Sequence, residues 1–423
     1  MSNIVLRKIK INSSLLLLSL IIFRLLLDIS YIFYVEPNFC YKGFFLDVTP
    51  LKYLISFFFL IIFHVFLDKS TSKASGLLLQ FFFILVYIPF TSYFALSNQY
   101  FGWFFIFSLF WLIAIIIQKG IQFKKIPPPL KISEYNIFLG VGVTVIFIFL
   151  IIFNTADLTF NMNINDVYEL RAVNPTGNIP YSGYFINWTA KVFLPFLIVF
   201  TLVRFKPSVN MLFIISILLT ILLFSVTGHK GYLFAIPMLI GTVLLLKAKN
   251  VYLLLLLILS SLIITGLIIM VVFNDNTIMT LFVRRMLYMP AQISYYYYDF
   301  FEGSPVFLSN SIMSGFFSYP HQLEPAYLIG DLYYQKPDMS ANNGIITDGF
   351  MHFGVVGVIV WAIIFSFILK LIDSLIFGKS YIVLIPILLI GLRSFIDGAL
   401  LTSLLTHGFF LTIFLCYLYP RKS

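Results

Sequence analysis

The residues of this chain that could do chemistry are concentrated in one long polar interval, from Asn274 to Phe350. Arg284 and Arg285 stand side by side there, although acidic residues outnumber basic ones in the interval. A guanidinium can bind phosphate oxygens through two parallel N–H bonds, and it stays charged at any physiological pH. The pair therefore indicates a site for a phosphate-bearing ligand. The alternative is that it only anchors the end of a helix at a membrane surface.

The same interval offers groups that could accept a proton. His321 follows a proline and precedes Glu324 by three residues, and Asp348 lies near the end of the interval. The unperturbed pKa of histidine lies near neutrality, so His321 is the first candidate for a general base, ahead of Glu324 and Asp348. A solvated histidine with no catalytic role is the alternative.

Aromatic residues are the second feature of the interval. They could stack on sugar rings while their hydroxyl groups bond sugar oxygens, or they could form an aromatic belt at a bilayer surface. The set comprises Tyr295, Tyr296, Tyr297, Tyr298, Phe300, Phe301, Tyr319, Tyr327, Tyr333 and Tyr334.

Three further cations lie outside this interval and away from the other basic clusters. Lys230 stands in the glycine-flanked turn 228–231, with no carboxylate close to it in the sequence. Arg171 lies near Asp166 and Glu169, so a simple ion pair is the competing interpretation. Arg393 precedes Asp397 by four residues, which predicts a pair on one helix face that could line a cavity.

Composition places these residues in a membrane protein. Hydrophobic residues make up 61% of the chain and charged residues only 10%, far from the composition of a soluble domain. Twelve apolar runs, most of them of about 17 to 23 residues, are each long enough to cross a bilayer as a helix. We expect an all-α integral membrane protein, since a β-barrel would show short alternating segments. Arg24 and Asp28, inside the first run, are spaced to neutralise each other on one helix face.

The distribution of charge predicts the topology. Of the 27 Lys and Arg residues, 17 fall in segments on the side of the N-terminus if there are twelve spans. This bias places both termini in the cytoplasm. The predicted organisation is nine helices in 1–273 with an external loop at 157–187, a large external loop at 274–350, and three helices in 351–423. The tenth helix is expected to begin at about Phe353.

Several classes of protein are not supported by the sequence. The basic residues lie in short clusters between apolar runs, which argues against nucleic acid as a partner. The two cysteines, Cys40 and Cys416, would lie on opposite sides of the membrane, and no Cys/His spacing of metal-ligand type occurs. No glycine motif for a nucleotide is present. We therefore expect no metal and no cofactor.

The layout resembles that of the Wzy-type O-antigen polymerases and the related O-antigen ligases. The resemblance rests on the turn Gly228-His229-Lys230-Gly231, on Arg284, on Pro320-His321, and on the sequence from Asn343 through Asp348 to Gly357. Where the family often has Gly-Ser-Arg-Gly, this chain has lysine in the turn. Lysine keeps the charge but lacks the fork of a guanidinium.

The resemblance implies a GT-C-like, metal-independent glycosyltransferase of the bacterial inner membrane with its active site on the periplasmic face. Its substrate would be an undecaprenyl-pyrophosphate-linked oligosaccharide repeat unit in the membrane lipid, and a chain-length regulator protein would be a partner. The residues expected to bind the pyrophosphate or substrate are Arg171, Lys230, Arg284, Arg285 and Arg393. Those expected in catalysis are His321, Glu324 and Asp348.

Two alternatives stay open. An O-antigen ligase would share the fold and the leaving group. A lipid-linked oligosaccharide flippase is a transporter of similar length, but flippases generally have short external loops and carry their charged residues within the spans. The loop at 274–350 exceeds the usual connection length many times over, which favours an enzyme.

Overall fold

The computed structural model describes residues 13–69, 73–129, 132–155, 181–205 and 210–421. This part of the chain is helical and contains no β-strand. The first nine helices are α1 Ser13–Lys42, α2 Pro50–Phe66, α3 Ala74–Leu96, α4 Phe101–Gly120, α5 Glu134–Thr155, α6 Ser182–Arg204, α7 Met211–Thr227, α8 Lys230–Leu245 and α9 Val251–Phe273. Helix α10 has two consecutive parts, Met279–Tyr288 and Met289–Phe301. The others are α11 Pro325–Tyr334, α12 Ile345–Ile376, α13 Tyr381–Arg393, α14 Leu400–Leu404 and α15 Phe409–Leu418.

Within the described residues, 7 helices are long and apolar enough to cross a membrane, namely α1, α3, α4, α5, α6, α9 and α12. Five shorter apolar helices, α2, α7, α8, α13 and α15, coincide with the remaining apolar runs of the sequence. The expectation of a helical membrane protein is confirmed. That all twelve segments are spans, and that both termini share one side, stays a prediction.

The chain forms two compact units. The first unit contains Met1–Gln122, Lys249–Lys370 and Phe395–Leu400, and the second contains Phe123–Ala248, Leu371–Ser394 and Leu401–Ser423. The large polar interval 274–350 therefore belongs wholly to the first unit. The turn that carries Lys230 belongs to the second.

Wide helical turns recur before prolines. Among the described residues, four segments are π-helical, and each ends two residues before a proline; they are Tyr31–Val35, Phe83–Tyr87, Thr189–Phe193 and Met279–Tyr288. A proline ring clashes with the carbonyl four residues earlier and has no N–H to donate, and a wider turn makes room for it. Pro237 and Pro386 lie within α-helices that have no such segment. A π-helical turn can therefore accommodate a proline, but not every helical proline is preceded by one.

A buried ion pair lies at the centre of the first unit. Arg24 and Asp28 pair on one face of α1, as their spacing predicts, and Arg24 is 0% exposed. The Arg24 guanidinium also donates to the carbonyl of Thr91 in α3, at 3.2 Å. Asp28 accepts from Ser92 of α3 at 2.5 Å and from Tyr53 of α2 at 2.9 Å. The pair therefore has partners on α1, α2 and α3.

The same network reaches α10 through Tyr288. Its hydroxyl lies 2.7 Å from that of Ser92 and donates to the carbonyl of Leu27 at 2.8 Å. Tyr288 is fully buried and is the last residue of the π-helical part of α10. The hydrogen bonds of one buried charge pair thus fix α10 against the first three helices.

Helix α12 is broken near its start. Phe353 and Gly354 are not helical, and Gly354 has a φ of 58°. The break leaves the carbonyls of Met351 and His352 without helical partners, and they accept instead from the amides of Val306 and Phe307, at 3.0 and 3.2 Å. The sequence predicted a helix start at about Phe353, but the helix begins at Ile345 and breaks where the start was expected.

The two parts of α12 pack against each other through glycines. A Cβ on Gly357 would lie 1.8 Å from the carbonyl oxygen of Gly349. Only glycine at both positions allows the backbones to approach this closely. The small residues at the mouth of this helix therefore have a packing role.

We expect removal of one member of the buried pair to destabilise the first unit strongly. Arg24→Ala leaves the Asp28 carboxylate buried without its counter-ion, which typically costs about 3–5 kcal/mol. The matched control is Arg204→Ala in the second unit, because the Arg204–Glu134 side chains are 26% and 21% exposed and such pairs contribute about 1 kcal/mol or less. Thermal unfolding in detergent measures both. Equal losses in the two variants would contradict this interpretation of the buried pair.

Candidate functional site

Arg284 lies in the π-helical part of α10, in a largely aromatic setting. Its guanidinium carbon is 4.1 Å from the centroid of the Phe39 ring, in the last part of α1. The side chain is half-buried, and its Nε is enclosed without a hydrogen-bond partner. Among the described residues, the ion pairs within 4.0 Å do not include Arg284. It is a guanidinium held in place by a ring rather than by a carboxylate.

The surroundings of Arg284 favour binding of an anion. Burial lowers the pKa of its guanidinium, and the neighbouring Arg285 lowers it further. Three phenol groups, those of Tyr34, Tyr334 and Tyr41, lie close enough to oppose this effect. Both leading causes act against the positive charge, and a bound anion would offset the repulsion from Arg285. Arg285 itself is exposed.

Lys42 is a second cation at the same ring. Its ammonium nitrogen lies 5.6 Å from the centroid of Phe39 and 5.1 Å from that of Tyr41. Arg284 and Lys42 therefore both lie within 6 Å of one ring although 241 residues separate them in the sequence. Sequence reasoning missed Lys42 as a site residue. The only available signal was that it is one of the few basic residues outside the basic clusters between the apolar runs.

The backbone that carries Lys42 is locked onto α10. Its carbonyl accepts from the side-chain amide of Gln292 at 2.8 Å and from the hydroxyl of Tyr296 at 3.5 Å. Gly43 follows with a φ of 84°, and a Cβ there would lie 2.1 Å from the Tyr296 hydroxyl. Glycine at position 43 thus allows both the positive φ and the close approach of the Tyr296 hydroxyl.

A pair of stacked tyrosines adjoins this cationic cluster. The rings of Tyr296 and Tyr333 stack with centroids 4.3 Å apart, and the Tyr333 hydroxyl donates to Asp299 at 2.6 Å. Tyr334 joins the stack to the cluster, because it packs 5.6 Å from Tyr296, lies near Arg284, and donates to Gln292 at 2.8 Å. Tyr296 and Tyr333 are partly exposed.

The other tyrosines of the tetrad have a different role. Tyr295, Tyr297 and Tyr298 are each less than 7% exposed. Tyr295 stacks on Phe90 of α3, and Tyr298 stacks on Trp103 of α4. These three are core residues, neither a sugar-binding surface nor an interfacial belt.

His321 lies at the other end of α10 from Arg284. Its ring packs against Phe300 and Tyr319, with centroids 5.3 and 5.4 Å away, and its Nε2 is enclosed without a hydrogen-bond partner. Arg284 and Phe300 are separated by a helical length of roughly 20 Å. In this geometry the predicted base and the predicted phosphate cation do not meet at one reacting atom.

The two predicted acids lie in contrasting environments. Glu324 is exposed at the N-terminus of α11, and its charge adds to burial in raising the pKa of Tyr319. Asp348 is 1% exposed, and one of its oxygens accepts from the indole of Trp361 at 2.7 Å and from the amide of Leu400 at 3.0 Å. Its carboxylate holds the first part of α12 in place and faces no solvent.

His352 completes this buried arrangement. Its Nε2 lies 3.3 Å from Asp348, and its Nδ1 accepts from the amide of Leu308 at 3.1 Å. Since Nδ1 accepts a hydrogen bond, the proton of the neutral ring is on Nε2, facing the carboxylate. The Asp348–His352 pair therefore stabilises the break in α12.

The second unit contains its own pair of cations. Helix α7 ends at Thr227, Gly228 adopts a left-handed conformation, and α8 begins at Lys230, so the predicted tight turn is confirmed. A Cβ on Gly231 would lie 3.7 Å from a terminal nitrogen of Arg393. The predicted pairing of Arg393 with Asp397 on one helix face is wrong, because α13 ends at Arg393.

Arg171 lies outside the described residues, together with Asp166 and Glu169. The predicted loop 157–187 can be compared with the structure only at its end. Helix α6 begins at Ser182, so the last residues assigned to the loop are helical.

We expect Gly43→Ala to disturb Lys42 through two separable effects. One is the unfavourable positive φ of alanine, about 1–2 kcal/mol, and the other is the clash with the Tyr296 hydroxyl. Gly303→Ala is the matched control for the first effect, because Gly303 has the same φ of 84° and nothing within 4 Å of its Cβ. Gly43→Ala should therefore lower thermal stability in detergent more than Gly303→Ala.

Tyr296→Phe isolates the clash. The hydroxyl oxygen is removed, and the nearest ring carbon would lie 3.5 Å from the new Cβ. The destabilisation by Gly43→Ala should thus be smaller in the Tyr296→Phe background, with a coupling of about 0.5–3 kcal/mol in a double-mutant cycle. Strictly additive losses would show that Gly43 and Tyr296 are not in contact.

Comparison with protein-family models, with curated proteins and with solved structures gives no match to this chain. Its function therefore has to be argued from its own residues and their geometry.

Proposed function

We propose that this chain is a membrane glycosyltransferase that polymerises undecaprenyl-pyrophosphate-linked oligosaccharide repeat units into O-antigen or capsular polysaccharide. The observation that carries the proposal is that Arg284 and Lys42 both lie at the Phe39 ring, near the partly exposed Tyr296–Tyr333 stack. The reaction would take place at the periplasmic face of a bacterial inner membrane. The layout of the sequence supports the same choice.

The cationic cluster suits a pyrophosphate. The guanidinium of Arg284 offers a fork of N–H donors that matches two phosphate oxygens, and Lys42 adds a compact charge. Arg285 is exposed next to them and can contribute a third. A pyrophosphate carries more negative charge than one cation can neutralise, so a group of cations fits it better than a lone arginine does.

The stacked tyrosines suit the sugar attached to that pyrophosphate. Aromatic faces pack against the apolar faces of sugar rings, and phenol hydroxyls bond sugar oxygens. Tyr334 contacts Tyr296 and lies near Arg284, so the charged and the aromatic parts of the surface are continuous. A pyrophosphate at Arg284 would direct its first sugars along α10 toward Tyr296 and Tyr333.

The chemistry needs little beyond positioning and fixed charge. A hydroxyl of the acceptor attacks the anomeric carbon, and a C–O bond forms as the bond from that carbon to the pyrophosphate oxygen breaks. The pyrophosphate leaves with the electron pair, and the proton of the attacking hydroxyl passes through solvent to the departing pyrophosphate. Cations fixed around the leaving group stabilise the charge that develops there.

The proposed reaction offers a role for Lys230 and Arg393 of the second unit. A polymerase handles two lipid pyrophosphates at once, one as donor and one as acceptor. We assign Lys230 and Arg393, at the N-terminus of α8, to binding an anionic substrate group within the second unit. The positive end of the α8 dipole adds to their charge.

We expect Arg284→Ala to lower polymerisation about 10²–10³-fold, the usual loss when one charge-stabilising donor is removed. Arg284→Lys keeps the charge without the fork and should retain part of the activity. Lys336→Ala is the matched control, because Lys336 is an exposed cation of the same polar interval outside the cluster. The measurement is the length distribution of polysaccharide in a deletion strain carrying each variant. Full-length ladders with Arg284→Ala would refute the site.

His321→Ala should affect polymerisation much less than Arg284→Ala. The reason is the separation of roughly 20 Å along α10, which keeps the imidazole away from an anomeric carbon attached to a pyrophosphate at Arg284. The same strain and gel compare the two variants directly. An equal loss in both would show that His321 reaches the reacting centre and that the loop moves on substrate binding.

The deletion strain also separates the alternative activities. Loss of the long ladder with a single repeat unit still attached to the lipid A core would identify a polymerase. A bare core would point to a ligase or a flippase. The leaflet in which lipid-linked units then accumulate decides between those two, the periplasmic leaflet indicating the ligase and the cytoplasmic leaflet the flippase.

A further inference from the structure

A long segment after α10 carries no charged side chain. Residues 303–323, called here the uncharged loop, contain no Asp, Glu, Lys or Arg, although Glu302 and Glu324 flank it directly. Large apolar side chains of this loop are exposed, with Phe316 82%, Ile312 60% and Phe317 51% accessible. Exposed apolar surface of this kind marks a site of contact with a partner or a membrane.

The position of the loop in the fold points to the membrane as its partner. Its residues 306–308 are bound to the break in α12, through the amides of Val306 and Phe307 and the contact of Leu308 with His352. The part of α12 after the break, 355–376, has a length of about 33 Å, close to the thickness of the hydrocarbon core of a bilayer. If this part crosses the bilayer, its length places the break at the level of one membrane surface, where the loop starts.

The composition of the loop fits that location. Aromatic and aliphatic side chains separated by serine, asparagine and glycine can enter the boundary between headgroups and acyl chains. A charged side chain would oppose this entry. The segment 335–340, in the same interval, has the opposite character, with Lys336 and Asp338 exposed. Of these two segments, the uncharged loop is the one that combines exposed rings with the absence of charge.

We propose that the uncharged loop inserts its exposed side chains, led by Phe316, into the outer surface of the bilayer that α12 spans. The loop thereby acts as a membrane contact separate from the helical spans. This contact holds the segment bonded to the break in α12 against the lipid surface. The proposal does not depend on the enzymatic function proposed above.

The test places a fluorescent probe in the loop of the full chain. Cys40→Ser and Cys416→Ala remove the native thiols, Phe316→Cys introduces the labelling site, and an environment-sensitive dye is attached. The labelled protein is reconstituted in vesicles of phosphatidylethanolamine and phosphatidylglycerol, with and without lipids that carry a nitroxide on the acyl chain. Asp338→Cys is the matched control, since residue 338 is exposed in the same interval.

We expect emission at shorter wavelength from position 316 than from position 338, and loss of intensity with nitroxide lipids at 316 only. Ile312→Cys provides a second labelling position, for which we expect the same result. It shows whether the result at 316 is caused by a local disturbance in that one variant. Identical emission and quenching at 316 and 338 would overturn the proposal. A shift at 316 without quenching by lipid would overturn it too, because a second copy or another protein would then cover the loop.

Discussion

A buried charge pair needs a hydrogen-bond partner for each of its polar atoms, and this requirement sets the geometry of the first unit. Arg24 and Asp28 together use hydrogen bonds from α1, α2 and α3, and the chain of bonds through Ser92 extends to Tyr288. Leaving any of these groups without a partner costs free energy that hydrophobic contacts in lipid do not supply. Tyr288 lies one helical turn after Arg284, so the network that satisfies the buried pair also determines where the half-buried guanidinium of Arg284 lies.

Much of the helical framework could be predicted from the sequence because it depends on local properties. Each of these properties can be recognised within a single segment of the sequence: apolar runs long enough for a bilayer, glycines at turns, and charges between the runs. The pairing of Arg24 with Asp28 was predicted correctly for the same reason, since both lie within one helix. The same spacing failed for Arg393 and Asp397, because it presupposes a continuing helix and α13 ends at Arg393.

The candidate site could be predicted only in part because its contacts are distant in the sequence. Arg284 was identified from its charge, but the approach of Lys42 depends on how α1 packs on α10. Burial of three of the four consecutive tyrosines depends on α3 and α4 in the same way, and no local pattern distinguishes Tyr296 from its neighbours. His321 was chosen by residue type, whereas its distance from Arg284 is a property of the folded loop.

The π-helical part of α10 has a consequence for how chains of this kind can diverge. The wide turns before Pro290 accommodate more residues per turn than an α-helix does, and the direction of Arg284 relative to Tyr288 depends on that number. Losing one residue between them would turn the guanidinium by roughly a quarter of a turn around the helix axis, away from Phe39, with every side chain of the candidate site still present. At this position the number of residues, as well as their identity, decides whether Arg284 faces Phe39. A single deletion here would remove that contact as surely as replacing the arginine would.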